Sequence, residues 1–136
     1  MLRTAEKPLV IAGGRLHGSA ALADFTRFAE EFQLPVATSQ RRFHVFDSRH
    51  PNAAGRLFNR APRELLEAMK ETDLLLVLGE RIGPSMSQGY SFPRAPKPDQ
   101  PMIHVWPSTE EVGRNYEPEL GIGCDPHEFI KVMLDA

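Results

Sequence analysis

Two glycine-rich turns carry the residues of this sequence that could meet a charged ligand. Gly13 and Gly14 directly follow the apolar run Pro8–Ala12, and Arg81 comes three residues after another apolar run, Leu74–Leu78. A glycine backbone lets a phosphate approach closely, and a guanidinium pairs with phosphate or carboxylate oxygens. If both runs are parallel strands, the turns meet at the sheet edge where such folds bind ligands. The residues Gly13, Gly14 and Arg81 therefore form a candidate nucleotide-binding site.

Each of these residues also has a simpler explanation. Gly13-Gly14-x-x-x-Gly18 departs from the G-x-G-x-x-G dinucleotide fingerprint. A tight strand-to-helix turn needs glycines as well, and this is the more frequent reason for them. Arg81 could equally be a surface arginine or part of an interface salt bridge. The two interpretations stay open at the level of sequence.

No set of residues is predicted to bind a metal or to attack a substrate. Cys124 and His127 form a Cys-x-x-His pair, but a catalytic zinc needs about three protein ligands. Ser85 and Ser87 do not lie in a Gly-x-Ser-x-Gly elbow. His104 lies within an apolar run, which favours a hydrogen-bonded core histidine over a general base. We therefore predict no catalytic residue and no metal site in this chain.

Composition predicts an ordinary globular domain. The chain has 136 residues, of which 41% are hydrophobic and 25% charged, and this length suits one domain spanning 1–136. The formal net charge of −2, with basic and acidic residues dispersed, gives no electrostatic footprint for nucleic acid.

The cysteine content and the apolar runs predict the cellular compartment of the protein. Cys124 is the only cysteine, so an intramolecular disulfide is impossible, which suits a reducing cytoplasm. The first residues lack the apolar stretch of a signal peptide. The longest purely apolar run, Leu74–Leu78, is far too short to cross a bilayer. We expect a cytoplasmic protein without a membrane partner.

The elements that must position these residues alternate between strand and helix. This alternation predicts an α/β fold, a three-layer Rossmann-like domain with a five- or six-stranded parallel sheet and helices on both faces. Leu74–Leu78 is apolar at every position, so we expect it to be a central strand covered on both sides. The other predicted strands are Pro8–Ala12, Leu34–Thr38, a short edge strand near Ala54, Met102–Trp106 and Leu120–Gly123.

Capping signals predict where the helices begin. Ser19 is expected to cap the first helix, Pro62 to lie in the first turn of the second, and Asp125 to cap the last. The spacing Ser108-x-x-Glu111 predicts a further short helix. Inner-face residues are expected at Leu65, Leu66 and Met69 in the second helix and at Phe129, Val132 and Met133 in the last.

An ordered set of segments covers nearly the whole chain: Pro8–Gly14, Leu34–Thr38, His50–Pro51, Thr72–Arg81, Ile103–Val105 and Glu111–Tyr116. No single segment is diagnostic, but the ordered set resembles the central domain of thiamine-diphosphate (thiamine pyrophosphate) enzymes, the group of acetolactate synthase, benzoylformate decarboxylase and glyoxylate carboligase. The stretch Gln88–Pro93 is most similar to the acetolactate-synthase-like branch.

The resemblance implies a parent enzyme with three α/β domains. One binds the pyrimidine of the cofactor, one is this central domain, and one binds the diphosphate through Mg²⁺. The cofactor serves as an electron sink for carbanion formation. The activating glutamate and the Gly-Asp-Gly…Asn metal motif belong to the outer domains, and this chain has neither motif. The resemblance thus implies a scaffold and inter-domain packing module of a decarboxylase or carboligase that is itself not catalytic, in a homodimeric or homotetrameric parent.

The resemblance also bears on the candidate nucleotide site. Some family members hold FAD or ADP in this domain, using the arginine region that matches Arg81 and acidic residues after the strand that matches Ile103–Val105. Here Trp106 and Ser108 stand where the family often has aspartates. FAD or ADP binding is therefore doubtful and the site is expected to be vestigial, although Trp106 could stack on an adenine. The alternative is a free-standing FAD-, ADP- or NAD-binding module.

Overall fold

The computed structural model describes all 136 residues and shows a six-stranded, wholly parallel sheet. The strands lie in the order β3-β2-β1-β4-β5-β6. The elements along the chain are β1 (Pro8–Ala12), α1 (Ser19–Glu31), β2 (Val36–Ser39), a 3₁₀ turn (Phe43–Val45), β3 (Ala53–Leu57), α2 (Arg63–Lys70), β4 (Leu74–Leu78), β5 (Met102–Trp106), β6 (Leu120–Gly123) and α3 (Pro126–Asp135). The predicted fold class is confirmed.

Strand β4 is central, as predicted from its uniform apolar pattern. It lies between β1 and β5, and all five of its residues are buried. Leu74, Leu76 and Leu78 face one side of the sheet, whereas Leu75 and Val77 face the other. A strand that is apolar at every position can only be satisfied by cover on both faces.

Two separate cores provide that cover. On one face, α1 and α3 pack against the sheet through residues such as Phe25, Phe28 and Ile130. On the other face, α2 contributes Leu65 and Met69. The irregular segment 83–100 adds Met86 to this second core. The result is the predicted three-layer arrangement, with an irregular segment taking part in one layer.

Three details of the helices differ from the sequence predictions. Helix α1 already includes Ser19, and Gly18 occupies the N-cap with a φ of 87°, a conformation that glycine adopts without strain. Pro62 lies at the N-cap of α2, one residue before the helix. The prediction for the inner face of α3 was wrong on one residue. Val132 is 67% exposed, whereas Ile130 is fully buried.

The helix predicted at Ser108–Glu111 does not form. The hydroxyl of Ser108 accepts a hydrogen bond from the backbone N–H of Glu110 at 3.2 Å, as in a turn. The carboxylate of Glu111 does not return to the cap, because it accepts hydrogen bonds from Arg81 and Arg114. By contrast, Asp125 caps α3 as predicted, accepting from the N–H groups of His127 and Glu128. None of the helices is long and apolar enough to cross a bilayer.

The central position of β4 predicts a large cost for truncating it. Leu76→Ala should lower the free energy of unfolding by about 2–5 kcal/mol, since the side chain is fully buried and leaves a cavity. The matched control Val132→Ala, on the exposed face of α3, should change it by less than about 0.5 kcal/mol. Urea titrations of both variants followed by circular dichroism measure the difference. Equal effects of the two substitutions would contradict this assignment of the core.

Candidate functional site

The parallel pairing of β1 with β4 places the two glycine-rich turns side by side. The N–H of Gly13 donates to the carbonyl of Leu78 at 2.9 Å, and the N–H of Arg15 donates to that of Gly79 at 3.2 Å. Beside them is an opening of about 300 Å³, which we call the mouth; it is lined by Gly14, Arg15, Arg42, Gly79, Glu80, Arg81 and Trp106. The structure thus brings the predicted residues Gly14 and Arg81 together, with Gly13 directly behind them.

Gly13 and Gly14 are both in close contact with side chains of the protein itself. A Cβ atom at Gly13 would lie 2.5 Å from Oε2 of Glu80, and one at Gly14 would overlap the side chain of Arg42. The backbone N–H groups of Gly13 and Arg15 already donate to the carbonyls of Leu78 in β4 and of Gly79 directly after it. These contacts account for both glycines without a ligand, as the tight-turn interpretation requires.

Three residues of the mouth were not singled out from the sequence. Arg15 and Glu80 lie within the predicted turns, but the sequence pattern assigns neither of them a function. Arg42 follows β2, which is the neighbour of β1. A basic residue just past the end of a predicted strand was the available signal for Arg42. What the sequence could not supply is the strand order that places β2 next to β1.

Trp106 forms one wall of the mouth and is covered by arginines. The Cζ atoms of Arg15 and Arg81 lie 5.0 Å and 5.2 Å from the centre of its ring. Such cation–π contacts contribute roughly 0.5–1 kcal/mol each at accessible sites. Only 8% of Trp106 is exposed, so little ring surface remains for an adenine to stack on.

Arg81 is held from its other side by Glu111. Its Nη1 lies 3.4 Å from Oε1 of Glu111, and the same oxygen accepts a hydrogen bond of 2.9 Å from Arg114. The Arg81 side chain is largely exposed, so this ion pair contributes little to stability. Its effect is positional, because it keeps the guanidinium near Trp106 and the mouth.

Glu80 is the most unusual titratable group of the site. Burial raises the pKa of its carboxyl, while the Ser39 hydroxyl, the N–H of Arg81 and the charges of Arg42 and Arg81 act in the opposite direction. Oε1 accepts the hydrogen bond from the Arg81 N–H at 2.9 Å. The Ser39 hydroxyl is fully buried near this carboxyl, yet it makes no hydrogen bond of good geometry.

His104 lies beneath this turn as a core histidine. Its Nε2 is 2.9 Å from the backbone carbonyl of Glu80 and therefore carries the donated proton. Burial lowers the pKa of the imidazole, which favours the neutral form. The ring thus positions the Glu80 backbone, and nothing in its surroundings equips it as a base.

The residues considered for metal binding or nucleophilic attack do not converge. No group of three or more His, Cys, Asp or Glu residues is arranged to hold a metal ion. The Nε2 of His127 lies 2.8 Å from Oδ2 of Asp24, so this histidine links α3 to α1. Ser87 is fully buried and donates to the carbonyl of Gly83 at 2.8 Å.

Comparison with known proteins gives a match over almost the full chain. Residues 1–133 match the family described as "Thiamine pyrophosphate enzyme, central domain". The chain is 26% identical over 136 residues to a probable acetolactate synthase large subunit of Methanocaldococcus jannaschii, covering 100% of this chain and 22% of that protein. It is 29% identical over 135 residues to a sulfoacetaldehyde acetyltransferase of Rhodobacter capsulatus, covering 98% and 23%. The chain therefore spans about a fifth of the length of these relatives.

Because burial raises the pKa of Glu80, ionisation of its carboxyl should lower the free energy of unfolding. In the folded chain Glu80 holds its proton to higher pH than in the unfolded chain, so its contribution to stability is lost as pH rises through the folded-state pKa. Glu80→Gln removes that loss. We expect the free energy of unfolding of this variant, relative to wild type, to increase as pH rises above the ordinary carboxyl pKa of about 4.

Denaturant titrations at a series of pH values measure this difference. Glu119→Gln is the matched control, because Glu119 is exposed and lies outside the mouth. Glu119→Gln should change the free energy of unfolding by less than about 0.5 kcal/mol, because the side chain is exposed. A pH-independent difference between Glu80→Gln and wild type would show that burial imposes no cost on the Glu80 charge.

Proposed function

Since the chain belongs to the thiamine pyrophosphate enzyme family as a central domain, we propose that it is the scaffold and inter-domain packing module of a larger thiamine-diphosphate-dependent decarboxylase or carboligase of the acetolactate-synthase-like group. The whole chain, 1–136, is proposed to act as one domain of that enzyme. It contributes no catalytic residue of its own.

The observation that carries this proposal is the extent of the match. The family description covers residues 1–133, yet the chain spans only about a fifth of each full-length relative. Those relatives are named as acetolactate synthase and sulfoacetaldehyde acetyltransferase. A chain similar to one part of such proteins is best explained as the corresponding part of a similar protein. The match does not favour a free-standing FAD-, ADP- or NAD-binding module.

We further propose that the cofactors of the parent enzyme are held by its other domains. Thiamine diphosphate, when bound, supplies an electron sink for a carbanion. The pyrimidine- and diphosphate-binding domains would hold it together with Mg²⁺. This chain has no suitable cluster of metal-binding side chains, which supports that division of roles. A cytoplasmic homodimer or homotetramer is proposed for the parent, without a nucleic-acid or membrane partner.

The scaffold role fits the edges of the sheet. Strands β3 and β6 each have one unpaired backbone edge. Strand β6 has no fully buried residue, and its Leu120 is 44% exposed. An open sheet edge is prone to unwanted pairing, so a covering domain would stabilise it.

The nucleotide site of Gly13, Gly14 and Arg81 is proposed to be vestigial. Trp106 and Ser108 lack the carboxylates that would accept hydrogen bonds from ribose hydroxyls. Each missing charge-assisted hydrogen bond costs roughly 1.5–3 kcal/mol, about tenfold to a hundredfold in affinity. We therefore propose that FAD and ADP do not bind tightly here.

The gene that encodes this chain provides the direct test. We expect its reading frame to encode flanking domains, one with the activating glutamate and one with the Gly-Asp-Gly…Asn metal motif. A complete reading frame of about this size, with no partner subunit carrying those motifs, would overturn the scaffold proposal.

Calorimetry provides a second test on the purified chain. Titration of the 136-residue chain with thiamine diphosphate and Mg²⁺ should give no measurable heat of binding, because the metal motif and the activating glutamate are absent. The full-length parent is the positive control and should bind both. Binding at about micromolar Kd by the 136-residue chain would contradict the proposed division between domains.

A further inference from the structure

We propose that the carboxylate of Glu80 serves as a built-in anion of the mouth and excludes a phosphate or diphosphate from the Gly13–Gly14 turn. The inference rests on the proposal that the nucleotide site is vestigial, and it identifies the residue responsible. Trp106 and Ser108 account for weak binding of a ribose, because neither has a carboxylate. Glu80 explains why the turn itself does not accept the phosphate.

The position of the carboxylate carries this inference. Oε2 of Glu80 lies against Gly13, at 2.5 Å from where a side chain would begin. Oε1 accepts the hydrogen bond of the Arg81 N–H. A phosphate approaching the glycine turn would therefore meet a carboxylate already in place and an amide already used.

The second glycine is covered as well. The Arg42 side chain fills the space that a side chain would occupy at Gly14, as Glu80 does at Gly13. The N–H groups of Gly13 and Arg15 donate to carbonyls of β4 and its turn. Phosphate-binding turns depend on free backbone N–H groups and on glycines that admit close approach. Close approach at the two glycines is blocked while Glu80 and Arg42 hold these positions.

The charges of the mouth nevertheless attract anions. Arg15, Arg42 and Arg81 all line it, and neither Arg15 nor Arg42 has a carboxylate within ion-pair distance. Against these three cations stand Glu80 and, beyond Arg81, Glu111. A partly buried carboxylate beside the turn repels a second anion strongly, because screening is weak there. Removing that single charge leaves an arginine-rich opening suited to a phosphate.

Fluorescence gives a direct readout, since Trp106 is the only tryptophan and lies in the mouth. Inorganic pyrophosphate is titrated into wild type, Glu80→Gln and the control Glu119→Gln. Glu80→Gln should bind about tenfold tighter than wild type or better, because a like charge has been removed. Glu119→Gln should match wild type. Adding Arg42→Ala to Glu80→Gln should abolish the gain.

Protonation of Glu80 should mimic the substitution. Sulfate is a suitable probe, because its own charge stays constant over the range. The charged and titratable groups around Glu80 are Arg42 after β2, Arg15 after β1, Arg81 on its own turn and His104 of β5. Wild type should bind sulfate more tightly as falling pH protonates Glu80. Glu80→Gln should show a smaller dependence, because these other groups are common to both.

Three results would overturn the inference: equal pyrophosphate affinity in wild type and Glu80→Gln, no binding by either, or identical pH dependence in both. Circular dichroism and urea midpoints check that each variant is folded. If Glu80→Gln is unfolded, Glu80→Ala takes its place in the titrations. None of these outcomes bears on the scaffold proposal, which the reading frame tests separately.

Discussion

The parallel pairing of β1 with β4 is the contact on which the rest of the structure depends. The two strands pair over their full length, from Pro8 opposite Leu74 to Ala12 opposite Leu78. At the amino end the Asp73 carboxylate accepts hydrogen bonds from the N–H groups of Glu6 and Lys7, at 2.7 Å and 3.0 Å. At the carboxyl end the N–H of Gly13 donates to Leu78. The pair is thus fixed at both ends, and both glycine turns leave the sheet at the same level.

This pairing explains how the side chains of the mouth come to contact one another. Because the turns after β1 and β4 are adjacent, a side chain from one can occupy the approach to the other. Glu80 does so toward Gly13, and Arg15 does so toward Gly79. The guanidinium of Arg15 also lies over Trp106, the last residue of β5. The Trp106 ring stabilises the cations of Arg15 and Arg81, and the Glu111 carboxylate pairs with Arg81.

Much of the fold was predictable because burial leaves a direct trace in the sequence. The alternation of apolar runs with amphipathic stretches indicated a parallel sheet, and the five apolar residues of β4 indicated its central position. The Asp125–Pro126 start of α3 was equally readable, since capping is a local interaction. A prediction from local sequence failed where the side chain instead binds a residue that is distant in sequence. Glu111 has capping-box spacing after Ser108, yet its carboxylate binds Arg81, thirty positions away, and Arg114.

For the candidate site as well, local features were predictable from the sequence and contacts between distant residues were not. The sequence by itself indicated the two glycine turns and Arg81, because these are residue types at short spacing. It also indicated the family, through an ordered set of segments along nearly the whole chain. Only the tertiary structure decided what surrounds them: Glu80 against Gly13, Arg42 against Gly14, and two arginines over Trp106. Periodicity reports that a residue is buried but not which distant residue it meets. That choice is set by the strand order β2-β1-β4-β5, which brings together turns separated by more than sixty residues.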